Sequence, residues 1–311
     1  MRKKLRNAFT MIELIFVIVI MAVLAKFGVE FLAQSYNSFI NSKINNELQS
    51  NSASAVEFVG KRLEHRIKAS TIAREDDGNF VPLRDYSDDN ASIIEWIGAD
   101  IDGFRGDSNP NWSGVIDLDP ALTNSTRLTS IATNTTDIND LINELSYGDS
   151  SINDAALYFV NPDSLDINWG WDGNVSRFDT QLGIAGSQNA IHPIRRSLAA
   201  LNEFIPIDGN GVDNNFTGVE AFEFYQLAWS AYAIGIDDWN TTTSSGTLTL
   251  WYDYQPWKGE SYDVDAKTST IMNNVSSFRF IARDSLIKIQ VCVKSLLTNE
   301  EYSICKEKTI F

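Results

Sequence analysis

Residues 9–25 read FTMIELIFVIVIMAVLA, and Leu14 to Ala25 is an unbroken run of 12 apolar residues. At about 1.5 Å per residue, a helix of this 17-residue stretch spans roughly 25 Å, slightly less than a hydrocarbon core of about 30 Å. Apolar residues continue beyond Lys26 as far as Leu32. The sequence therefore predicts a membrane-spanning helix over residues 9–33.

The charge of the chain is unevenly distributed around this helix. The 311 residues include 41 acidic and 25 basic side chains, a formal net charge of −16. Four basic residues within residues 1–8 contribute +4, which leaves −20 on residues 9–311. Basic residues beside a membrane span remain on the cytoplasmic side, so we expect the acidic body to lie outside. An acidic body lacks the basic face that nucleic-acid binding requires, and we expect no direct nucleic-acid partner.

Glu13 is the unusual residue of the apolar segment. A carboxylate in hydrocarbon costs about 2.5–3.5 kcal/mol, which makes such a residue a functional candidate. Two simpler interpretations leave Glu13 unexplained. The first is a secretory signal cleaved after Ala25, which would release a soluble periplasmic binding protein. The second is a plain single-span anchor.

Residues 7–15 read NAFTMIELI, and they resemble the processing site of type IV prepilins and of type II secretion pseudopilins. The shared features are a short basic leader, a small residue, Phe-Thr, and Glu at the fifth position after the cut. The resemblance implies that residues 1–8 are a leader and that prepilin peptidase cleaves between Ala8 and Phe9 and N-methylates Phe9. It also implies that Glu13 neutralises the α-ammonium of a neighbouring subunit. The family usually has Gly where this chain has Ala8.

The resemblance also implies a location and a set of partners. The chain would be a single-pass inner-membrane protein with a cytoplasmic N-terminus and a periplasmic body, later incorporated into a pilus or pseudopilus. Its partners would be prepilin peptidase, the major and other minor pilins or pseudopilins, and the inner-membrane assembly platform. The implied role is a structural subunit of a type II secretion pseudopilus, a type IV pilus or a DNA-uptake filament. A bulky acidic body favours a tip or low-copy position.

The fold expected is α+β and pilin-like, with a long N-terminal helix on an antiparallel C-terminal sheet. Apolar residues at helical spacing predict an amphipathic continuation of the helix. This region covers residues 34–73, and the helix itself is expected to end at about residue 72. Residues 246–311 alternate as strands do, and they resemble the end of J-type minor pseudopilins and PilW-like minor pilins. Between them, residues 74–245 form an acidic, loop-rich β insertion. We predict a short helix within Leu128–Leu145. We predict strands at Ser92–Ile97, Val115–Leu118, Ala155–Val160, Thr247–Tyr254, Val275–Ala282, Leu286–Val293 and Tyr302–Phe311.

Two aromatic or apolar segments leave alternatives open. Residues 221–236 are long enough for a strand pair or for a helix. The aromatic-rich segment from Trp229 to Trp257 belongs either to a sheet core or to the ligand site of an adhesin displayed on a pilin stem.

Cys292 and Cys305 are symmetric about position 298.5, the centre of a turn predicted at Thr298–Asn299. In an antiparallel hairpin they face each other, about 4.5–5.5 Å apart at Cα. The outside location is oxidising. The sequence therefore predicts a disulfide.

Enzyme signatures such as G-x-S-x-G, a P-loop and H-E-x-x-H are absent from the sequence, so we expect no enzymatic activity. His65 is expected at the surface and His192 in a loop. We expect no cofactor except calcium, for which alternating oxygen ligands with a glycine are suited because it is a hard cation. The candidate ligands form two acidic loops: Asp100, Asp102 and Asp107 in the first, and Asp208, Asn210 and Asp213 in the second. Ordinary solvated turns are the competing interpretation.

Eight N-x-[ST] sequons occur in the sequence, and four of them have Asp two residues before the asparagine. With 41 acidic residues among 311, chance predicts an acidic residue at that position in about one of the eight sequons. The extended form resembles the acceptor of bacterial N-glycosylation systems. The candidate acceptors are Asn90, Asn174, Asn215 and Asn240.

Overall fold

A computed structural model gives the architecture of the chain. It describes residues 10–88, 90–160, 168–178, 189–216, 219, 221–283, 286–295 and 303–311, without the side chain of Arg177. The predicted leader, both residues of its cleavage site (Ala8 and Phe9) and the predicted hairpin turn at Thr298–Asn299 lie outside these residues. The chain divides into two units, Met1–Asn51 and Ser52–Phe311.

Three α-helices are present in the described residues: α1 at Met11–Glu64, α2 at Ile101–Arg105 and α3 at Thr135–Leu145. Short 3-10 turns occur at Lys68–Ser70, Leu83–Asp85, Ile152–Asp154, Val175–Phe178 and Pro256–Lys258. The strands are β1 (Ile72–Glu75), β2 (Phe80–Pro82), β3 (Ala91–Ile97), β4 (Leu128–Thr129), β5 (Ala156–Phe159), β6 (His192–Arg196), β7 (Glu203–Pro206), β8 (Tyr225–Ala228), β9 (Ala231–Asn240), β10 (Ser245–Tyr254), β11 (Lys267–Arg283), β12 (Leu286–Lys294) and β13 (Ser303–Ile310).

Helix α1 ends eight residues before the predicted boundary at residue 72. The backbone N–H of Arg66 and its guanidinium both donate to Leu63 O, which satisfies a carbonyl at the end of the helix. The extended chain that follows then bonds to the end of β3, where Ile67 N donates to Ile97 O at 2.9 Å. Ile67 fits the helical spacing, yet it is buried from an extended segment.

The larger sheet has eight strands in the order β13-β12-β11-β10-β9-β3-β1-β2, and all of its neighbours are antiparallel. The end of α1 contacts this sheet. Arg62 lies over the Tyr232 ring of β9 at 5.8 Å, and Lys308 of β13 pairs with Glu57 at 2.9 Å. Val59 and Leu63 are fully buried on the same part of the helix. The architecture is therefore a long N-terminal helix followed by antiparallel sheets, broadly α+β, as predicted.

A second antiparallel sheet has five strands in the order β4-β7-β6-β5-β8. It shares a hydrophobic core with α3, which contributes Ile138 and Ile142. The segment at residues 221–236 is a strand pair, but its two strands belong to different sheets: β8 to the small one and β9 to the large one. Residues 74–245 therefore supply strands to both sheets.

Most predicted elements of the body are confirmed, with one exception. The helix predicted within Leu128–Leu145 is α3, and the predicted strands near β3, β5 and β10–β13 are present. The prediction of a strand at Val115–Leu118 is wrong. Val115 and Ile116 make only isolated bridges, to Phe224 and Ser130, because these partners come from two different segments.

A charged cluster lies inside the core beside the large sheet. The Glu95 carboxylate is almost completely buried, contacts the Arg74 guanidinium and accepts a hydrogen bond from Tyr254 Oη at 2.9 Å. Burial raises the pKa of the Glu95 carboxyl even though Arg74 opposes the shift. Arg74 also lies over the Phe80 ring at 5.2 Å. The cluster joins β1, β3 and β10 through side chains far apart in the sequence.

Candidate assembly site

The first turn of α1 contains Glu13, and the structure gives it a partner within its own chain. Its Oε2 accepts hydrogen bonds from the Thr10 backbone N at 3.1 Å and from the Thr10 hydroxyl at 3.0 Å. In return, Glu13 N donates to Thr10 Oγ1 at 3.4 Å. This reciprocal T-x-x-E arrangement is a capping box, which satisfies N–H groups that a helix start leaves without partners. Sequence analysis missed Thr10, although the T-x-x-E spacing was visible.

The side chains from Thr10 to Phe39 are all exposed. Most of them are large and apolar as far as Leu32, and the helix is long and apolar enough to cross a membrane. Lys26 and Glu30 form an i,i+4 ion pair at 3.9 Å within this stretch. An exposed apolar helix near the N-terminus is compatible with a single-pass membrane anchor.

Cys292 and Cys305 occupy opposite positions in the register of β12 and β13 and form a disulfide with Cα atoms 3.9 Å apart. The predicted disulfide is confirmed. β13 is the edge strand of the large sheet, and Lys308 attaches it to α1 through Glu57 and Glu64. The disulfide and these ion pairs therefore hold the terminal strand in the sheet.

Removal of the disulfide is expected to destabilise the body. On the chain-entropy model, closure of a loop of this size contributes about 3 kcal/mol. We expect the Cys292→Ala/Cys305→Ala variant to lose about this much free energy of unfolding. Urea unfolding of the detergent-solubilised chain, followed by tryptophan fluorescence, measures it. Dithiothreitol should shift the wild type by the same amount and leave the variant unchanged; an equal midpoint for the two oxidised proteins would contradict the prediction.

In the first candidate calcium loop, Asp100 already has hydrogen-bond partners within the fold. Asp100 is buried at the N-cap of α2, where its carboxylate accepts hydrogen bonds from Gly103 N at 3.0 Å and from Trp112 Nε1 at 3.1 Å. Burial raises the pKa of Asp100 to about 6. Asp102 and Asp107 are exposed. The loop thus presents a capping carboxylate rather than converging ligands.

The second acidic loop is also internally bonded. Asp208 Oδ1 accepts hydrogen bonds from Asn210 N at 2.9 Å and from Val212 N at 2.8 Å. Asp213 forms a bidentate ion pair with Arg195 at 2.6 and 2.7 Å. Across the described ranges, no group of three or more His, Cys, Asp or Glu side chains is arranged to hold a metal ion.

The prediction that His192 lies in a loop is wrong. His192 lies in β6, where it is buried between aromatic rings. The ring centroids of Phe159 and Phe216 lie 5.3 and 5.9 Å from the imidazole. His192 Nδ1 is buried without a hydrogen-bond partner among the described residues. Burial lowers the pKa of His192 to about 4. His65, in contrast, is exposed as expected.

This histidine predicts an acid-sensitive fold. Because the folded pKa of about 4 lies below the unfolded value of about 6.5, the unfolded state binds more protons between these pH values, and stability falls as the pH decreases. The loss approaches about 3 kcal/mol at pH 4. The free energy of unfolding of His192→Leu relative to wild type should therefore change by this amount between pH 7 and pH 4. His65→Leu is the exposed control, and a parallel pH dependence for wild type and His192→Leu would refute the assignment.

The aromatic segment from Trp229 to Trp257 is mainly core. Trp251, Tyr254 and Trp257 are buried members of the hydrophobic cluster between the large sheet and residues 169–178. Trp239, by contrast, is half exposed on β9. The segment therefore offers little aromatic surface for the ligand of an adhesin.

Comparison with protein-family models, with curated proteins and with solved structures finds no match to this chain.

Proposed function

We propose that this chain is a minor pilin or pseudopilin, a structural subunit of a type II secretion pseudopilus, a type IV pilus or a related DNA-uptake filament. The observation that carries the proposal is a carboxylate, Glu13, at the start of an exposed apolar helix, five residues after a small-residue cleavage motif. The α+β body, with a helix end against an antiparallel sheet, is consistent with that class. The function is assembly and not catalysis.

The proposed mechanism begins in the inner membrane. The basic leader holds residues 1–8 in the cytoplasm and directs the acidic body to the periplasm. Prepilin peptidase then cleaves between Ala8 and Phe9, which creates a new α-ammonium at Phe9. In the filament the apolar surface of α1 packs among other subunits, and Glu13 pairs with the α-ammonium of a neighbour. A buried charge persists when it is paired, and the pair defines the axial register of the subunit.

The negative charge of the body favours a tip or low-copy position in this proposal. Residues 9–311 carry a charge of −20, and identical bodies repeated along a shaft would repel one another. The same charge disfavours direct binding of DNA by this subunit. The major subunits and the assembly platform are therefore the partners we propose.

The mature N-terminus tests the proposal. The full-length protein is purified from the membranes of its own host, and its N-terminal peptide is identified by mass spectrometry. We expect Phe9 or N-methyl-Phe9 at the first position. Lys26 would instead indicate a periplasmic protein released by signal cleavage, and an intact leader would indicate a plain anchor; either result overturns the proposal. Deletion of prepilin peptidase should restore residues 1–8.

A further inference from the structure

The extended sequons differ in how accessible their three polar side chains are. An acceptor sequence needs an asparagine amide, a hydroxyl two residues later and, in the extended form, a carboxylate two residues earlier. The four candidate asparagines are exposed in the structure. The surrounding residues separate them into two pairs.

In two of the sequons, some of the residues are buried or bonded to other parts of the body. After Asn90, the hydroxyl residue Ser92 lies within β3 and is half-buried. Before Asn215, Asp213 is held by Arg195, and the following Phe216 is buried against His192. The hydroxyl residue of this sequon lies outside the described residues. Both segments would have to leave the body to enter an enzyme groove.

In the other two sequons all three polar residues are exposed. Asp172, Asn174 and Ser176 are all exposed, as are Asp238, Asn240 and Thr242. The first group lies at the start of the 3-10 turn Val175–Phe178, and the second lies where β9 turns into β10. A peptide-binding groove can reach the first segment without disturbing a sheet, and it can reach the second by releasing only the end of β9, where Asn240 pairs with Ser245.

The acceptor asparagines also share a local geometry. Asn174 Oδ1 accepts a hydrogen bond from the Ser176 hydroxyl at 2.5 Å. Asn240 Oδ1 accepts one from the backbone N of Thr242 at 2.9 Å. Each contact uses the carbonyl oxygen of the amide. The amide nitrogen, which is the atom that would be modified, takes no part in these contacts.

We propose that Asn174 and Asn240 are N-glycosylated outside the inner membrane by a membrane-bound transferase that uses a polyprenyl-diphosphate-linked glycan. Asn Nδ2 attacks the anomeric carbon, a carbon–nitrogen bond forms, and the bond between that carbon and the phosphate oxygen breaks. The lipid diphosphate leaves with the electron pair, and Nδ2 loses one proton to a base of the transferase. Asp172 and Asp238 supply an anionic contact for a cationic groove in that enzyme. The inference rests on the proposed function, because it requires an exported body.

The test is the intact mass of the full-length protein purified from its own host, followed by mapping of glycopeptides. We expect two additions of equal mass on the wild type, one on each of the single variants Asn174→Gln and Asn240→Gln, and none on the double variant. Asp172→Ala and Asp238→Ala should each remove the addition at the asparagine that follows. The matched control Asn124→Gln removes an exposed sequon that lacks the acidic residue, and it should leave both additions in place.

The disulfide provides an independent report of export in the same sample. An unmodified mass with Cys292 and Cys305 joined would overturn the glycosylation alone. An unmodified mass with two alkylatable thiols would also overturn the exported location on which both proposals depend. Additions that persist in the double variant would place the modification elsewhere and overturn the assignment to Asn174 and Asn240.

Discussion

A chain carrying Glu13→Gln is expected to remain in the membrane but to enter filaments at least about 100-fold less than wild type. Glutamine can retain the capping box with Thr10, because the motif accepts Glu or Gln at this position. It cannot neutralise a neighbouring α-ammonium. Loss of one partner from a buried ion pair costs about 3–5 kcal/mol, and about 1.4 kcal/mol corresponds to a factor of ten. Immunoblots of sheared filament and membrane fractions measure the ratio.

Two further variants separate the charge of Glu13 from its capping role. Glu13→Ala removes both, and Thr10→Val removes the hydroxyl of the cap but keeps the carboxylate. If the charge governs assembly, Gln and Ala are equally defective at position 13, and Thr10→Val assembles nearly as wild type. If the cap alone matters, Glu13→Gln is normal and the other two are defective. This second pattern would rule out the proposed pairing.

The second large effect is expected at Arg74. Arg74→Met removes the cation that contacts the buried Glu95 carboxylate, and we expect a loss of about 3–5 kcal/mol in the free energy of unfolding. The apolar part of the side chain can still pack beside Phe80, so the loss reports mainly the uncompensated carboxylate. Urea unfolding at pH 7 measures the effect.

An exposed arginine supplies the control for this experiment. Arg84 pairs with Asp85 at 3.4 Å, and both side chains are more than half exposed. Arg84→Met should therefore change stability by less than about 1 kcal/mol. A second substitution, Glu95→Gln in the Arg74→Met background, should recover part of the loss because it removes the buried charge. Equal stability of Arg74→Met and Arg84→Met would mean that the cluster is not energetically important.

The elements predicted correctly are those whose signal is local. The exposed apolar helix follows from an unbroken run of apolar residues, and the helix α3 follows from a short periodic segment. The hairpin β12–β13 is similar, because the alternation of side chains and the symmetric placement of Cys292 and Cys305 define its register within about 25 residues. In each case the relevant contacts are made by residues close together in the chain.

The elements predicted incorrectly depend on distant partners. The last turns expected of α1 are absent because residues 65–67 bond to the end of β3. His192 is buried because β6 pairs between β5 and β7, which a single sequence does not reveal. The calcium candidates show a different limit: the sequence reveals the acidic residues but not which side chains they bond, Trp112 for Asp100 and Arg195 for Asp213.

Four properties can be read from the amino-acid sequence without a fold: the membrane-compatible helix, the position of Glu13 at its start, the cysteine pair and the acidic character of the body. These properties depend on composition and on short spacings, which are independent of how the chain folds. The tertiary structure was needed to show that residues 74–245 contribute to two sheets, that Glu95 and Arg74 meet in the core, and that the polar residues of two of the four extended sequons are all exposed. Such features arise from contacts between distant segments, because burial depends on the surfaces that the whole fold brings together.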